Sequence, residues 1–269
     1  MAKARGKNAD LADYERPPVI EVVYGVMFAP LPAWKLPHVG VFWQQIADEF
    51  PRCEHASPIT ARDDFIDPAT GLPIPRVWLI NAADDSLVQL QPGRFLFNWR
   101  HRENAGPYPR YGTLSGRFFQ LFQEFRDFIA ENQLGEIDVL DYELTYINHV
   151  FEQGGWTFPD NVGRVVEHLS WQAERYHFLP PPLPITWQAG FAFSDGPGTL
   201  LVKLNRAKRA KDEKTLLVLE FSAHGLPTEA PLDNIERWFS HAHQWIVRGF
   251  EDITSEEAQK ELWGKHEQC

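Results

Sequence analysis

The sequence predicts an α+β protein made of two similar β-α-β-α units, in which antiparallel sheet is covered on one side by long amphipathic helices. Several segments alternate apolar and polar residues with the period of two that is typical of half-buried strands. Two longer segments repeat apolar residues at helical spacing. The order strand, helix, antiparallel strands, long helix occurs twice, as a repeat of pattern and not of letters.

The first unit is predicted over residues 17–135, after a loose polar tail over residues 1–16. Its first strand is expected between two proline clusters, because apolar residues alternate from Ile20 to Phe28. A helix is predicted from about His38 to Phe50, followed by a short strand from Arg76 to Asn81.

A β-hairpin with Pro92-Gly93 at its turn is the most structured part of this unit. A two-residue turn pairs Leu90 with Phe95, although Pro-Gly suits a type II turn and leaves a longer loop open. One face then carries the apolar residues Val88, Leu90, Phe95, Phe97 and Trp99. The other face carries Gln89, Gln91, Arg94, Leu96, Asn98, Arg100 and Arg102. We expect the first face against the core and the second against water or a partner.

A long helix from Thr113 to about Gln133 completes the first unit, and the second unit is predicted over residues 136–269. Its expected elements are a strand over 138–151, a short helix after Pro159-Asp160, strands near 185–193, 199–205 and 215–223, and a long helix over 233–252. Thr254 and Glu257 have the spacing of a capping box, which predicts a terminal helix. Packing the units into one body resembles the saddle of the TATA-binding-protein fold, an analogy of architecture that implies no function.

Composition excludes several classes of protein. The net charge of −11 and the isoelectric point near 5.4 disfavour general binding to nucleic acid or to anionic membranes. The chain has no apolar stretch of the roughly 18 residues that span a membrane and no leader segment, so we expect a cytoplasmic protein. Cys53 and Cys269 lie far apart, and His241 and His243 are two residues apart on a helix, so no disulfide, metal or cofactor is predicted.

The main candidate site is the polar face of the hairpin, its exit and the central strand of the second unit. Its residues are Arg94, Asn98, Arg100, Arg110, Tyr111, Glu143 and His149. Guanidinium groups beside aromatic rings on a strand suit a carboxylate, a phosphate or an acidic partner. The alternative is a solvated sheet face whose arginines pair with acids such as Glu21, Asp141 or Glu143. Glu143 and His149 lie about 20 Å apart along an extended strand and cannot form a catalytic pair by themselves.

A second candidate is the basic loop over residues 203–214, which is expected at a hairpin tip. It carries Arg206, Lys208, Arg209 and Lys211 and could contact a phosphate backbone. However, it has no interleaved aromatic residues and ends in Asp212-Glu213, which favours an ordinary solvated loop.

Three segments carry a family resemblance. They are PPVIEVVYGVMFAPL near the start, LVQLQPGRFLFNWRHRE followed by YPRY, and AHQWIVRGFEDITSEEAQKELWG near the end. They resemble the landmarks of a sporadically distributed family of uncharacterised bacterial proteins of similar length. The resemblance implies a bacterial protein of horizontally transferred accessory systems, such as defence or toxin-related loci. It supplies no catalytic residues.

The absence of a catalytic set favours a non-enzymatic binding or adaptor protein over an enzyme. Its partner would be another protein or a small anionic ligand, bound through the polar hairpin face. One alternative is a hydrolase acting on phosphodiesters, which requires Arg100 or Arg110 to converge with Glu143 or His149. Another is a nucleic-acid-binding module that uses the basic loop. The sequence does not determine an oligomeric state.

Overall fold

The computed structural model describes residues 11–57, 66, 71, 74–103, 106–152, 156–157, 161–167, 169, 178–180, 182, 185–226 and 231–266. Within these residues the chain forms an α+β fold with one antiparallel sheet of nine strands and four helices, so the predicted class is confirmed. The strands are β1 (Val19–Phe28), β2 (Arg52–Ala56), β3 (Arg76–Ile80), β4 (Ser86–Gln91), β5 (Arg94–Arg100), β6 (Val139–Phe151), β7 (Thr186–Ala192), β8 (Thr199–Lys208) and β9 (Thr215–Gly225). The helices are α1 (Leu36–Ile46), α2 (Arg110–Glu131), α3 (Ile235–Ile253) and α4 (Glu256–Glu261).

The sheet has the strand order β2-β3-β4-β5-β1-β6-β9-β8-β7. Strands β1 and β6, the paired strands that are farthest apart in sequence, lie at its centre. Tyr24 of β1 lies opposite Leu144 of β6, and Tyr146 of β6 lies opposite Phe221 of β9. These side chains are all at most 5% exposed, because they share the face that the helices cover. Strands β6 and β8 largely alternate buried residues with more exposed ones on the outer face, whereas β4 and β5 bury residues of both faces.

The predicted hairpin register is confirmed. Leu90 lies opposite Phe95, Val88 lies opposite Phe97, and the turn has two residues. Gly93 has φ +71°, a left-handed conformation, and a Cβ atom there would lie 2.6 Å from the backbone oxygen of Phe28. Only glycine satisfies both conditions, which is why this turn closes with two residues.

Several boundaries differ from the sequence predictions. Strand β2 was not predicted, because its residues are mostly exposed and show no alternation of burial. Helix α2 begins at Arg110, before the predicted Thr113, and α1 ends at Ile46, before the predicted Phe50. The terminal helix is capped by Ser255, whose hydroxyl accepts from the amide of Ala258, and not by Thr254 as predicted. The predicted short helix after residue 160 is a single 3-10 turn, Val162–Arg164, within the described residues.

Residues 11–16, which the sequence assigned to a loose tail, pack against the end of the chain; residues 1–10 lie outside the described residues. The amides of Glu15 and Arg16 donate to the carbonyl groups of Gly264 and Trp263, at 3.1 and 3.0 Å. The ring of Tyr14 is 6% exposed and lies 5.5 Å from the ring of Phe250, centroid to centroid. Apolar burial of Tyr14 and two backbone hydrogen bonds thus order this segment.

Aromatic rings join the two long helices to the centre of the sheet. The ring of Tyr24 on β1 stacks on Phe118 of α2 at a centroid distance of 5.1 Å and lies 5.6 Å from Phe239 of α3. Phe118 and Phe239 are themselves 4.9 Å apart. We call Tyr24, Phe118 and Phe239 the central aromatic cluster; all three are fully buried. No helix among the described residues is long and apolar enough to cross a membrane.

The central aromatic cluster predicts a large stability effect at Phe118. Replacing Phe118 by Ala removes a buried ring and leaves a cavity between two helices and the sheet, which is expected to lower the free energy of unfolding by about 3–5 kcal/mol. Gln120→Ala, at an exposed position of the same helix, is the control and should change it by less than about 0.5 kcal/mol. Urea denaturation of the three proteins measures both values. Equal stability of the two variants would contradict the prediction.

Candidate functional site

A cavity of about 390 Å³ opens on the helix side of the sheet, beside the central aromatic cluster. Its walls come from the N-terminal segment, from β1, β6 and β9, from the start of α2 and from α3. The apolar part of the wall comprises Leu11, Ala12, Pro17, Pro18, Val19, Phe221, Ile246, Val247 and Phe250. The polar part comprises Asp13, Tyr14, Tyr108, Arg110, Tyr111, Tyr146, Asn148 and His243, with Gly112 between them. The cavity is thus an apolar space with few polar groups.

Two tyrosine hydroxyl groups meet in this wall. Tyr146 faces the helices because it alternates with outward residues on β6, and Tyr108 lies in the segment that leads into α2. Their hydroxyl oxygens are 3.0 Å apart, at hydrogen-bond distance. Burial raises the pKa of Tyr108 to about 12 and raises the pKa of Tyr146 well above its ordinary value. Both hydroxyl groups therefore stay protonated near neutral pH.

A histidine stacks on a third tyrosine beside them. The ring of His243 on α3 lies 4.0 Å from the ring of Tyr111, with 16° between the ring planes. Burial lowers the pKa of His243 to about 4. The imidazole is consequently neutral near pH 7, and it contributes a polar but uncharged group to the cavity.

Arg110 joins the start of α2 to the N-terminal segment. Its guanidinium donates to the Asp13 carboxylate over 2.7 Å and to the backbone oxygen of Tyr14 over 3.0 Å. The backbone of Arg110 has φ +71°, a left-handed conformation that is unfavourable for a residue with a side chain. Such strain occurs where the surrounding structure imposes it, often beside binding sites. We call this interaction the Arg110–Asp13 pair.

The structure places the predicted site residues on opposite sides of the sheet. Arg110 and Tyr111 line the cavity on the helix side. Arg94, Asn98 and Arg100 share the outer face with Glu143 and His149, since β1 pairs with both β5 and β6 in register. Arg110 therefore cannot converge with Glu143 or His149, and of the two arginines in the phosphodiester hydrolase hypothesis only Arg100 shares their face.

Polar side chains on the outer face of the hairpin form hydrogen bonds and ion pairs with other residues of the protein. Asn98 is 3% exposed; its amide oxygen accepts from Gln89 and its nitrogen donates to Glu21, both at 2.6 Å. Arg100 donates to the carboxylate of Asp84 over 2.6 Å, and Arg102 donates to the same carboxylate over 2.7 Å. Burial opposes ionisation of Asp84, but the two guanidinium groups lower its pKa below the ordinary value. This agrees with the alternative of arginines paired to acids, although the acid is Asp84.

The other residues of the predicted site, Arg94, Glu143 and His149, do not form one cluster. Arg94 borders a smaller cavity of about 110 Å³ beside the hairpin turn. Glu143 accepts a hydrogen bond from the hydroxyl of Thr145 over 3.1 Å. His149 lies opposite Val218 near the end of β6, where burial, followed by the charge of Arg209, lowers its pKa. Glu143 and His149 are not in contact, as the strand spacing indicated.

A chain of hydrogen bonds that the sequence analysis missed crosses β6 and β9 on the outer face. His224 Nδ1 lies 3.0 Å from the Asp141 carboxylate, and His224 Nε2 lies 3.0 Å from Ser222 Oγ. Ser222 Oγ is 2.5 Å from Thr145 Oγ1, which donates to Glu143. We call these five residues the outer relay. The signal available in the sequence was the spacing of two between Ser222 and His224 in a strand.

The outer relay has the order Asp-His-Ser of a hydrolase triad but not its other requirements. Ser222 is 4% exposed, and it sits on an interior strand with Thr145 opposite on one side and Leu201 on the other. In such a strand the backbone N–H groups are used by the ladder, so none is left to stabilise an oxyanion. The relay is therefore a half-buried polar network that links two strands.

The basic loop pairs its charges with neighbouring acids. Lys208 lies 3.8 Å from Glu213, and Lys211 bonds Glu103 over 2.6 Å. Arg209 donates to Asp212 over 2.8 Å, and its guanidinium lies 4.5 Å from the ring centre of Phe151. Arg206 lies within β8. These contacts fit the solvated loop better than a phosphate-binding surface.

The sequence analysis predicted only some of the cavity residues as site residues. Arg110 and Tyr111 were predicted as site residues, but with the outer face; Tyr146, Asn148 and His243 were not. Asn148 is 2% exposed on the buried face of β6, so a polar residue in an apolar alternation was the available signal. Within the described residues, no group of three or more His, Cys, Asp or Glu could hold a metal ion. Comparisons of the chain with protein-family models, with curated proteins and with solved structures give no match.

The outer relay predicts a pH dependence of stability. The hydrogen bond that His224 donates to the Asp141 carboxylate raises the pKa of His224. Burial and the charge of Lys203 oppose this rise, and the charges of Glu143 and Asp141 add to it. A raised pKa in the folded state means that this stabilisation is complete below the ordinary histidine pKa of about 6.5 and is lost as the pH rises through the folded value. His243 and His149, whose pKa values burial lowers, act in the opposite direction in every variant. Urea denaturation should therefore show that the stability of the wild type relative to His224→Gln falls over this window.

Two variants test whether His224 causes this dependence of stability on pH. His224→Gln removes the titrating group, and Asp141→Asn removes the interaction that raises its pKa, so both should flatten the curve between slightly acid and slightly alkaline pH. If both variants run parallel to the wild type across this range, His224 does not couple proton binding to folding.

Proposed function

We propose that this protein is a non-enzymatic binding protein whose small-molecule ligand occupies the cavity between the N-terminal segment, the sheet centre, α2 and α3. The observation that carries the proposal is the composition of the wall, apolar and aromatic with a few convergent polar groups. Ligand pockets have this character and volumes of about 300–1,000 Å³, a range that includes the 390 Å³ measured here.

Several features support binding over catalysis at this cavity. The two tyrosine hydroxyl groups are protonated and His243 is neutral, so none of them is a strong base or a charged acid near pH 7. Hydroxyl, imidazole and amide groups in an apolar wall orient a ligand by hydrogen bonds. Tyr146 and Asn148 come from β6 and His243 from α3, two elements that pack against the core, and Tyr108 comes from the segment before α2.

A protein partner or a small anionic ligand at the outer hairpin face was the prediction from sequence. The internal contacts of Asn98 and Arg100 argue against a free anion site there, because a ligand would have to displace Glu21 or Asp84. The bacterial accessory role implied by the family resemblance stays a prediction. A sensor or adaptor that changes its behaviour on binding a small molecule would suit such a system.

We also propose that the two halves of the chain, 17–135 and 136–269, are related units in a saddle-like arrangement similar to the TATA-binding-protein fold. The strand order supports this, since each half places its first strand at the centre next to its own last strand, β1 beside β5 and β6 beside β9. Each half also places a long helix, α2 or α3, on the same side of the sheet. The cavity then lies where the two units meet, a frequent location of ligand sites.

Removing one hydroxyl group from the cavity is expected to weaken binding. Tyr146→Phe deletes a hydrogen-bonding group from the wall and should raise the Kd of cavity ligands by about tenfold, equivalent to about 1.4 kcal/mol. Ligands are found by screening a library of small fragments against the protein with ligand-observed NMR, and affinities follow by titration calorimetry.

Two further variants make this experiment decisive. Tyr142→Phe is the matched control, because Tyr142 lies on the same face of β6 but its hydroxyl donates to the Pro231 carbonyl, away from the cavity. Its affinities should equal those of the wild type. Val247→Trp fills the cavity from α3 and should abolish binding. Fragments that bind Val247→Trp as well as the wild type would place the ligand site elsewhere and refute the proposal.

A further inference from the structure

The wall of the cavity has no uncompensated charge among the described residues. Asp13 and Arg110 are its carboxylate and its guanidinium, and their atoms are 2.7 Å apart in an ion pair. The His243 imidazole is neutral near pH 7, because burial lowers its pKa to about 4. A ligand inside the cavity therefore meets no free cation and no free anion.

The hydrogen-bonding capacity of the wall is small and uncharged. Tyr108 and Tyr146 share one hydrogen bond between their hydroxyl oxygens, so one of the two O–H groups is left to donate elsewhere. The same oxygens can accept from a ligand hydroxyl. The amide nitrogen of Asn148 donates to the Leu219 carbonyl over 3.1 Å, which fixes the orientation of that amide. One hydroxyl or carbonyl group on a ligand would satisfy the tyrosine pair.

Rings form much of the remaining wall. The aromatic side chains that line the cavity are Tyr14, Tyr108, Tyr111, Tyr146, Phe221, His243 and Phe250. Aromatic rings favour contact with other rings in stacked or edge-on geometry, which adds to the gain from apolar burial. A planar ring system makes better use of such a wall than a flexible aliphatic chain does.

We propose that the cavity takes an uncharged aromatic molecule bearing one hydroxyl or carbonyl group, and that it discriminates against the same ring bearing a carboxylate. This inference rests on the proposed function and specifies its ligand class. A carboxylate would lose its hydration in an apolar space without a cation to replace it. The Arg110–Asp13 pair is solvent-exposed, with side chains 49% and 62% exposed, and Asp13 also accepts from the amide of Tyr14. The guanidinium is therefore shared with Asp13 and with water, and it offers a carboxylate inside the cavity little compensation for its lost hydration.

A pair of probes with the same ring system tests the ligand class. Near neutral pH, 2-naphthol is uncharged and 2-naphthoate is an anion. Titration calorimetry on the full chain should give a Kd for 2-naphthol at least about tenfold lower than for 2-naphthoate. Tyr146→Phe should reduce this preference, whereas Tyr142→Phe should not change it.

A charge variant provides an independent measurement. Asp13→Asn releases the guanidinium of Arg110 and should tighten the binding of 2-naphthoate while it leaves that of 2-naphthol nearly unchanged. The ratio of the two affinities should then move toward one. A purely structural effect of the substitution would weaken both probes together, and this result would count against the inferred role of the Arg110–Asp13 pair in discrimination.

Results that would refute the proposed ligand class can be distinguished from results that would refute the proposed function. Equal or tighter binding of 2-naphthoate to the wild type overturns the ligand class but leaves a cavity ligand in place. Binding of neither probe also overturns it, and the fragment screen with Val247→Trp then decides whether the cavity binds any molecule. Binding of 2-naphthol that persists in Val247→Trp overturns it as well, because the probe would lie outside the cavity.

Discussion

The packing of Tyr24 between Phe118 and Phe239 is the contact on which the rest of the structure depends. Tyr24 belongs to β1, which pairs with both β5 and β6, while the two phenylalanines belong to the long helices. This one cluster therefore ties both helices to the centre of the sheet. Dispersion and apolar burial concentrated at a single point hold together three elements that lie far apart in sequence.

The cavity exists because this packing stops short of the end of β6. Beyond the cluster the gap between helix and sheet is closed by the N-terminal segment, which is bound to the chain end through Glu15, Arg16 and Tyr14. The Arg110–Asp13 pair joins that segment to α2. The cavity is thus bounded on one side by the N-terminal segment and on the other by the strands and the long helices.

The outer face of the sheet is organised by polar networks and not by the aromatic packing of the helix side. Interior strands place polar side chains there in two networks, one from Glu21 through Asn98 to Gln89 and one along the outer relay. The members of both networks bond to one another, and Arg100 and Arg102 share the carboxylate of Asp84. Much of the polar composition in this part of the chain takes part in cross-strand hydrogen bonding.

The sequence by itself determined the α+β class and the register of the hairpin around Pro92-Gly93, because these depend on local periodicity and on one glycine turn. It placed Arg110 and Tyr111 among functional residues but on the wrong side of the sheet. Only the tertiary structure decided that Tyr146, His243 and Asp13 meet at one cavity, and that Ser222 and His224 join Asp141. These contacts link distant strands, helices and termini, and no local pattern carries the information on which of them become neighbours.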